Sequence, residues 1–164
     1  MKKLIVLAFL TVCFSIESYC QESIKISLED ETYFENTQTY ELKSDLPDGK
    51  YSVYRTSALN ILFCTGEILN KKKTGTWSWY NKSGLKLRHV PYINNKIHGD
   101  VLAYYPSGTI SSKTQYSEGL RNGQMTKWYS TGEIKLEAYF SIDNPSGTWN
   151  FYDKEGKILK QENY

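Results

Sequence analysis

The stretch Gly75-Thr-Trp-Ser-Trp-Tyr-Asn-Lys-Ser-Gly84 carries the clearest information on how this chain folds. A close copy of it stands at Gly147-Thr-Trp-Asn-Phe-Tyr-Asp-Lys-Glu-Gly156. Each copy begins with alternating large and small residues, a pattern typical of a β-strand. Each then reaches a polar cluster that ends in glycine, the residue that most readily accepts the positive φ of a short hairpin loop. The two copies therefore predict a β-hairpin that the chain builds more than once.

The pattern recurs through the C-terminal two-thirds of the chain with a period of 24 residues. Two glycine columns keep this spacing, and we expect them to be structural turn glycines: Gly75, Gly84, Gly99, Gly108, Gly123, Gly132, Gly147 and Gly156. Two structural aromatic columns keep it as well: Tyr80, Tyr104, Trp128 and Tyr152, and Tyr92, Tyr116, Phe140 and Tyr164. A fixed period of this length indicates a stacked array of one small supersecondary unit.

The segment after each loop alternates apolar and polar residues, as in Ile134-Lys-Leu-Glu-Ala-Tyr-Phe140, which is typical of a half-buried strand. The fold class is therefore predicted to be all-β: an antiparallel β-hairpin repeat array with about four clear 24-residue units and one degenerate unit. The degenerate unit begins at Gly49 if about two residues are inserted in its hairpin loop. Asn60 then stands in place of the turn glycine, and Asn tolerates the left-handed conformation.

A five-residue loop would place Tyr80 opposite Lys86. Repeating this pairing places three isoleucines beside the same aromatic column: Ile110, Ile134 and Ile158. We therefore expect these isoleucines and both aromatic columns to form the packed face of the sheet. The opposite face becomes the candidate binding face, with Trp77, Trp79, Met125, Trp149 and Phe151. Contiguous exposed aromatic residues commonly mark an interaction surface, although packing in the core is the other interpretation of these side chains.

The N-terminal residues 1–20 have the features of a signal peptide. Lys2 and Lys3 precede an apolar run that is too short to span a bilayer, and Ser18 and Cys20 form a small-residue cleavage site. We therefore expect an exported protein, periplasmic or extracellular; lipid anchoring is the less favoured alternative. Residues 21–48 lie outside the period and are assigned to an N-terminal cap or lead segment. Residues 49–164 form the repeat domain.

Composition excludes several classes of function. Without residues 1–20 the chain has a net charge of +1 and no basic stripe, which argues against nucleic acid as a partner. Only Cys64 remains, so no intrachain disulfide forms, and no transmembrane segment is expected in the mature chain. His89 and His98 recur in no other unit, and no set of metal ligands is visible. We therefore predict no catalytic residues, no metal and no cofactor; the protein is not expected to be an enzyme.

The two quoted copies share the pattern G-x-W-x-[WF]-Y-x-x-x-G, which resembles the MORN repeats in their bacterial variant form. Tyr92 with Asn94-Asn-Lys-Ile-His-Gly99 is similar to the link between units of that family. Asn95 replaces the usual glycine of this link, Gly119 keeps it, and Asp143 replaces it again. The resemblance covers about residues 49–164. It implies an all-β hairpin array that acts as a binding or scaffolding element, of a type often labelled antitoxin-like.

Two functional hypotheses remain, with a third attached to the family label. The leading one is a protein-binding or scaffolding module that uses one face of the array. The alternative is carbohydrate or cell-wall binding through the tryptophan-bearing face, where indole rings stack on sugars. A further alternative is an antitoxin-like component of a toxin–antitoxin pair, a cytoplasmic role that export does not favour. The identity of the partner and the oligomeric state are left open by the sequence.

Overall fold

The computed structural model describes residues 23–27, 34–36, 41–42, 46–56 and 58–164, and over these residues the protein contains strands and no helix. The signal peptide predicted at residues 1–20 lies outside the described residues. The strands are β1 (Ile24–Ser27), β2 (Phe34–Asn36), β3 (Glu41–Leu42), β4 (Gly49–Tyr54), β5 (Leu62–Leu69), β6 (Lys72–Tyr80), β7 (Lys86–Ile93), β8 (Lys96–Ile97), β9 (Gly99–Tyr104), β10 (Ile110–Ser117), β11 (Leu120–Trp128), β12 (Ile134–Ser141), β13 (Asn144–Tyr152) and β14 (Ile158–Asn163).

Twelve of these strands form a single sheet in the order β1-β4-β5-β6-β7-β9-β10-β11-β12-β13-β14, with β8 also paired to β7. Every pair is antiparallel except β1 with β4, which run parallel, with Ile24 opposite Tyr51. Strands β2 and β3 form a separate two-stranded sheet. Because consecutive strands are neighbours from β4 onwards, the prediction of an all-β antiparallel hairpin array is confirmed.

The hairpin loops have the predicted register. Tyr80 pairs with Lys86, and the loop between them is closed by the Gly84 amide, which donates to the Asn81 carbonyl at 3.0 Å. The same pairing recurs in the later units: Tyr104 with Ile110, Trp128 with Ile134, and Tyr152 with Ile158. In the first hairpin Tyr54 pairs with Leu62, so its loop is two residues longer. The predicted insertion in the degenerate unit is therefore confirmed.

The two glycine columns occupy different places. Gly84, Gly108, Gly132 and Gly156 lie in the hairpin loops, whereas Gly75, Gly99, Gly123 and Gly147 lie in strands, so the expectation of a turn is wrong for the second set. There the pairing with the preceding strand shifts register, as between Thr114 and Tyr116 opposite Gly123. Gly123 has φ +114°, and a Cβ there would stand 2.2 Å from Oε1 of Gln115. Glycine suits this bulge because the positive φ strains any residue with a side chain, and Gln115 would also have to move to admit a Cβ.

The links between hairpins are two-residue turns in which both residues have positive φ, the geometry of a type I′ turn. Asn94 and Asn95 form one of them, between the paired residues Ile93 and Lys96. Equivalent turns stand at Asn70-Lys71, Glu118-Gly119 and Ile142-Asp143. The prediction that hairpins join through a second tight turn is therefore correct.

A β-bulge beside each hairpin loop changes which residues share a face. Tyr80 pairs with Lys86, but the next pair is Trp79 with Arg88, which leaves Leu87 without a partner. Equivalent bulges in the other hairpins skip four more residues in the strand register, each in the position of the 24-residue unit that Leu87 occupies: Phe63, Ser111, Lys135 and Leu159. Because a one-residue shift moves a strand's side chains to the other face, Tyr92 joins Trp77, with their ring centroids 6.4 Å apart. The prediction that both aromatic columns lie on one face is therefore wrong.

We term the side that carries Trp77, Trp79, Met125, Trp149 and Phe151 the tryptophan face, and the other side, with Tyr80, Tyr104, Trp128 and Tyr152, the tyrosine face. The tryptophan face is the packed one. Its buried residues form two clusters: Ile26, Leu46, Tyr51, Val53, Cys64, Ile68 and Trp77, and Met125, Leu136, Ala138 and Phe140. Ile110, Ile134 and Ile158 are exposed, so the expectation that they form the core is wrong. The core lies where the bulges bring the second aromatic column beside the tryptophans.

Candidate binding face

The five residues of the candidate binding face share one side of the sheet but differ in exposure. Trp77 is only 1% exposed and Met125 9%, so both are part of the core. Trp79, Trp149 and Phe151 are half-buried and keep surface that a ligand can contact. The candidate face is therefore reduced to these three residues and their neighbours.

A group of aromatic rings lies at the C-terminal end of the tryptophan face. The ring centroids of Phe140 and Trp149 are 5.1 Å apart, and those of Trp149 and Tyr164 are 4.8 Å apart. The Arg121 guanidinium lies 4.0 Å from the Phe140 ring centroid, a cation–π contact. Tyr164 is 57% exposed, so this group begins in the core and ends at the surface.

A second feature of the tryptophan face runs across the strands, and we term it the central row. Each member pairs directly with the next on the adjacent strand, so all their side chains lie on one face. In order, the members are Val53, Cys64, Trp79, Arg88, Ala103, Ser112, Lys127, Leu136, Phe151 and Lys160. Sequence reasoning missed this row because the bulges set its composition. Its signal in the sequence is the spacing of 24 residues within each of two alternating series, except that Val53 stands 26 residues before Trp79 because of the longer first loop.

The matching row on the tyrosine face is more polar. It consists of Ser52, Thr65, Ser78, His89, Leu102, Lys113, Thr126, Glu137, Asn150 and Gln161. Its groups pair with their neighbours: Lys113 forms an ion pair with Asp100 at 2.7 Å, and the Tyr152 hydroxyl donates to Oε2 of Glu137 at 2.6 Å. The hydrogen bond to Glu137 raises the pKa of Tyr152. Lys113 and Glu137 therefore both have partners on this face.

The link turns are bonded to one another along one edge of the array. In the three later turns the second residue donates its amide to a carbonyl of the preceding hairpin: Asn95 to Lys73, Gly119 to Ile97 and Asp143 to Arg121, at 2.8–3.0 Å. Asn95 and Asp143 add a side-chain bond, since Oδ1 of each accepts the backbone amide of Lys73 and Arg121 respectively. The residues that replace the usual glycine therefore tie neighbouring units together.

The groups with catalytic potential are separate from one another. Cys64 is buried, and desolvation raises the pKa of its thiol to about 12, which does not suit a nucleophile. Nδ1 of His98 lies 3.6 Å from the Glu118 carboxylate at the edge of the array, whereas His89 lies in the polar row. Within the described ranges, no three His, Cys, Asp or Glu side chains come together as metal ligands. The part of the chain that the structure describes also contains no apolar helix of bilayer-spanning length.

Comparison with known proteins gives a family match and likenesses to solved structures. The family model described as the MORN repeat variant matches residues 97–118 and 145–164. No curated protein sequence matches the chain. Among similar solved structures is a chain of the Glycosylation Associate Protein (Gap123) complex from Streptococcus agalactiae, 15% identical with a TM-score of 0.39. The match covers 68% of this chain and 20% of that one, so this chain spans about a fifth of that protein's length.

The sheet topology and the period define a β-hairpin repeat protein. The two stretches that match the family model lie in different units of the same array. The chain is therefore a MORN-like repeat protein, as its motifs predict.

Proposed function

We propose that this protein is an exported, non-catalytic module that binds a partner protein through the C-terminal part of the tryptophan face. The observation that carries this proposal is the aromatic group formed by Phe140, Trp149 and Tyr164, with Phe151 beside it. Large aromatic residues and arginine contribute most of the binding energy in many protein interfaces, and Arg121 contacts this group. An aromatic surface that continues out of a packed core is well suited to such an interface.

The two halves of the tryptophan face have different roles in this proposal. Trp77 belongs to the same buried cluster as Cys64, Ile68 and Ile26, and its contribution is to stability. Trp149 and Phe151 pack only from the outside against the buried cluster around Met125. The aromatic surface that is buried in the core of the first units is therefore partly exposed, and available for binding, in the C-terminal units.

Site-specific photocrosslinking tests this proposal. A photoreactive phenylalanine analogue is placed at residue 151 or, as the matched control, at residue 152. Adjacent strand residues point to opposite faces, so the two probes differ in face but hardly in position. We expect a discrete protein adduct in the native envelope fraction with the probe at 151 and none with the probe at 152. Equal adducts from both positions would contradict a role for the tryptophan face.

Polysaccharide binding is the second candidate function. The half-buried rings of Trp79 and Phe151 lie near opposite ends of the central row, and a flat aromatic ring is a suitable surface for a sugar ring. Retention on polysaccharide or peptidoglycan columns, lost in a Trp79→Ala/Phe151→Ala double variant, is the expected result. Trp77 is left unchanged in this experiment because its buried ring is needed for packing.

Export rests on residues 1–20 and has a direct test. If the signal peptide is cleaved at the proposed site, the mass of the protein recovered from its native host will correspond to a chain that begins at Gln21. A lipid-modified cysteine would instead favour the anchored alternative. A full-length cytoplasmic product would remove the support for export and restore the antitoxin-like alternative.

A further inference from the structure

We propose that the central row is a binding track for an acidic polysaccharide. This inference deepens the second candidate function and rests on it. It adds the charge of the ligand, the direction in which the ligand lies on the sheet and the residues that contact it.

The first step is the shape of the row. Between Trp79 and Phe151 it crosses six strand intervals, a distance of roughly 29 Å at the usual spacing of neighbouring strands. Ala103 and Ser112 occupy the middle and have small side chains. Larger side chains stand on either side of them, with Arg88 before and Lys127 after. The side chains in the middle of the row therefore project less from the sheet than those on either side. An extended polymer can lie in this shallow groove, perpendicular to the strands.

The second step is charge. The row contains three basic residues, Arg88, Lys127 and Lys160, and no acidic residue. Lys160 is paired with Glu162, but among the described residues neither Arg88 nor Lys127 has an ion-pair partner. Both are exposed and lie about 14 Å apart, three strand intervals along the row. Two unpaired cations on one track favour a ligand with repeated negative charges.

The third step is the combination of cations with rings. Trp79 pairs directly with Arg88, so this half-buried ring stands beside an unpaired cation. Phe151 pairs directly with Lys160, whose ammonium is already bound to Glu162. A uronate residue has both complementary features: a ring with an apolar face and a carboxylate. Arginine binds carboxylates through two parallel hydrogen bonds, which adds to its charge.

Other acidic polymers fit the row less well. Peptides that bind sheets usually add to an edge, parallel to the strands, whereas this row runs across them. Nucleic acid binding depends on the neutralisation of many phosphates, and the central row contains only three basic residues. A membrane surface would require a broad basic patch, and the central row is narrow.

The experiment uses the full chain and two probes with the same backbone. One is polygalacturonate, and the other is its methyl ester, which lacks the negative charge. The variant Arg88→Gln/Lys127→Gln removes the two unpaired cations from the central row. The matched control Lys86→Gln/Lys113→Gln removes two lysines, with the same total charge, from the tyrosine face. Arg88 and Lys86 lie in β7, and Lys127 and Lys113 lie in the neighbouring strands β11 and β10. Unchanged unfolding midpoints will show that each variant folds.

We expect binding to polygalacturonate that weakens by about tenfold or more in Arg88→Gln/Lys127→Gln, a loss equivalent to one good charge contact. The control should change by less than about twofold, an effect below the scale of a single contact. Trp79→Ala should also weaken binding, and added salt should weaken it in the wild type but less in Arg88→Gln/Lys127→Gln.

Three results would overturn the inference, and they differ in what they say about the proposed function. Equal binding of the methyl ester, unaffected by loss of Arg88 and Lys127, would reject an acidic ligand and keep polysaccharide binding. No binding to either probe or to peptidoglycan would reject both. Binding confined to a single-stranded oligonucleotide or to anionic phospholipid vesicles would assign the row to another ligand class. The protein partner is tested separately by crosslinking at residue 151.

Discussion

The indole ring of Trp77 lies against the backbone of Gly66 so closely that a Cβ added at Gly66 would stand 2.1 Å from the ring. The Trp77 Nε1 group donates to the Glu67 carbonyl at 3.2 Å, which holds the ring in this place. Three periods later the fully buried Ala138 takes the place of Gly66, and Trp149 takes that of Trp77, with its Nε1 donating to the Tyr139 carbonyl. A large ring over a small residue is therefore a repeated element of the packing.

Gly66→Ala should destabilise the protein by about 1–3 kcal/mol, the usual cost of inserting a methyl group into a packed site. Equilibrium denaturation will measure the change in the free energy of unfolding. The same substitution in a Trp77→Leu background should cost less, because the shorter side chain leaves room for the methyl group. An equal cost in both backgrounds would contradict the ring contact as the cause.

Ile142→Asn should stabilise the protein by about 1 kcal/mol. Ile142 has φ +50° in a link turn, a conformation that strains a β-branched side chain, and it is 62% exposed, so little burial is lost. The reverse substitution at the equivalent turn position, Asn94→Ile, should destabilise by a similar amount. Thermal unfolding of both variants will measure the effect. Destabilisation by Ile142→Asn would show that the exposed side chain makes contacts that matter more than the turn conformation.

The stability of the array should decrease in acid because of the pair formed by Asp143 and Arg121. The hydrogen bond from the Arg121 side chain lowers the pKa of Asp143 below its ordinary value of 3.8. Because the pKa of Asp143 is lower in the folded protein than in the unfolded chain, its ionised form stabilises the fold at pH values above the unfolded-state pKa. This contribution is lost as the pH falls through the folded-state pKa of Asp143. Stability should therefore fall below about pH 4.

Asp143→Asn isolates this effect, because the amide keeps an oxygen that can accept the Arg121 backbone amide while the charge is removed. We expect a lower free energy of unfolding at neutral pH and a weaker dependence on pH below about 4 in this variant. Denaturant unfolding at several pH values will show both. An unchanged pH dependence would mean that other carboxylates control acid unfolding.

The Cys64 thiol should resist alkylation at neutral pH in the folded protein. Its side chain is buried, and desolvation raises its pKa to about 12, so the reactive thiolate is scarce until the sheet opens. Mass spectrometry after iodoacetamide treatment will locate any modified cysteine, with denatured protein as the positive control. Modification of folded Cys64 at the rate of the denatured chain would show that β5 opens readily.

The sequence was sufficient to predict the loops but not the faces. Glycine spacing and the loop composition predict the pairing of Tyr80 with Lys86 because a hairpin register depends on local turn geometry. The two-residue insertion before Leu62 follows from the same count. The unpaired Leu87 has no such signal: a bulge residue needs no particular side chain when it is not in the left-handed conformation. If the unpaired Leu87 is overlooked, Tyr92 and the other residues of β7 that follow Leu87 are assigned to the wrong face of the sheet.

The candidate binding face, too, could be predicted only in part from the sequence. Trp77 and Trp149 occupy equivalent positions and have the same spacing to their hydrogen-bond acceptors, so the sequence predicts equal roles. The structure separates them, since Ile26 and Leu46 pack into the cluster around Trp77 and no period relates those two residues to the array. The central row could be found only after the register was known, because its members are neighbours in space and distant in sequence.

The order of amino acids in this chain was enough to establish a periodic all-β array, its unit length and its loops, because turns and strand alternation arise from neighbouring residues. The choice of buried face, the partial exposure of Trp149 and Phe151, and the alignment of Arg88 with Lys127 depended on pairing between strands. Those features are set by bulges, where a single unpaired residue changes which side chains share a surface. That effect is non-local, and it becomes visible only when the strands are placed side by side.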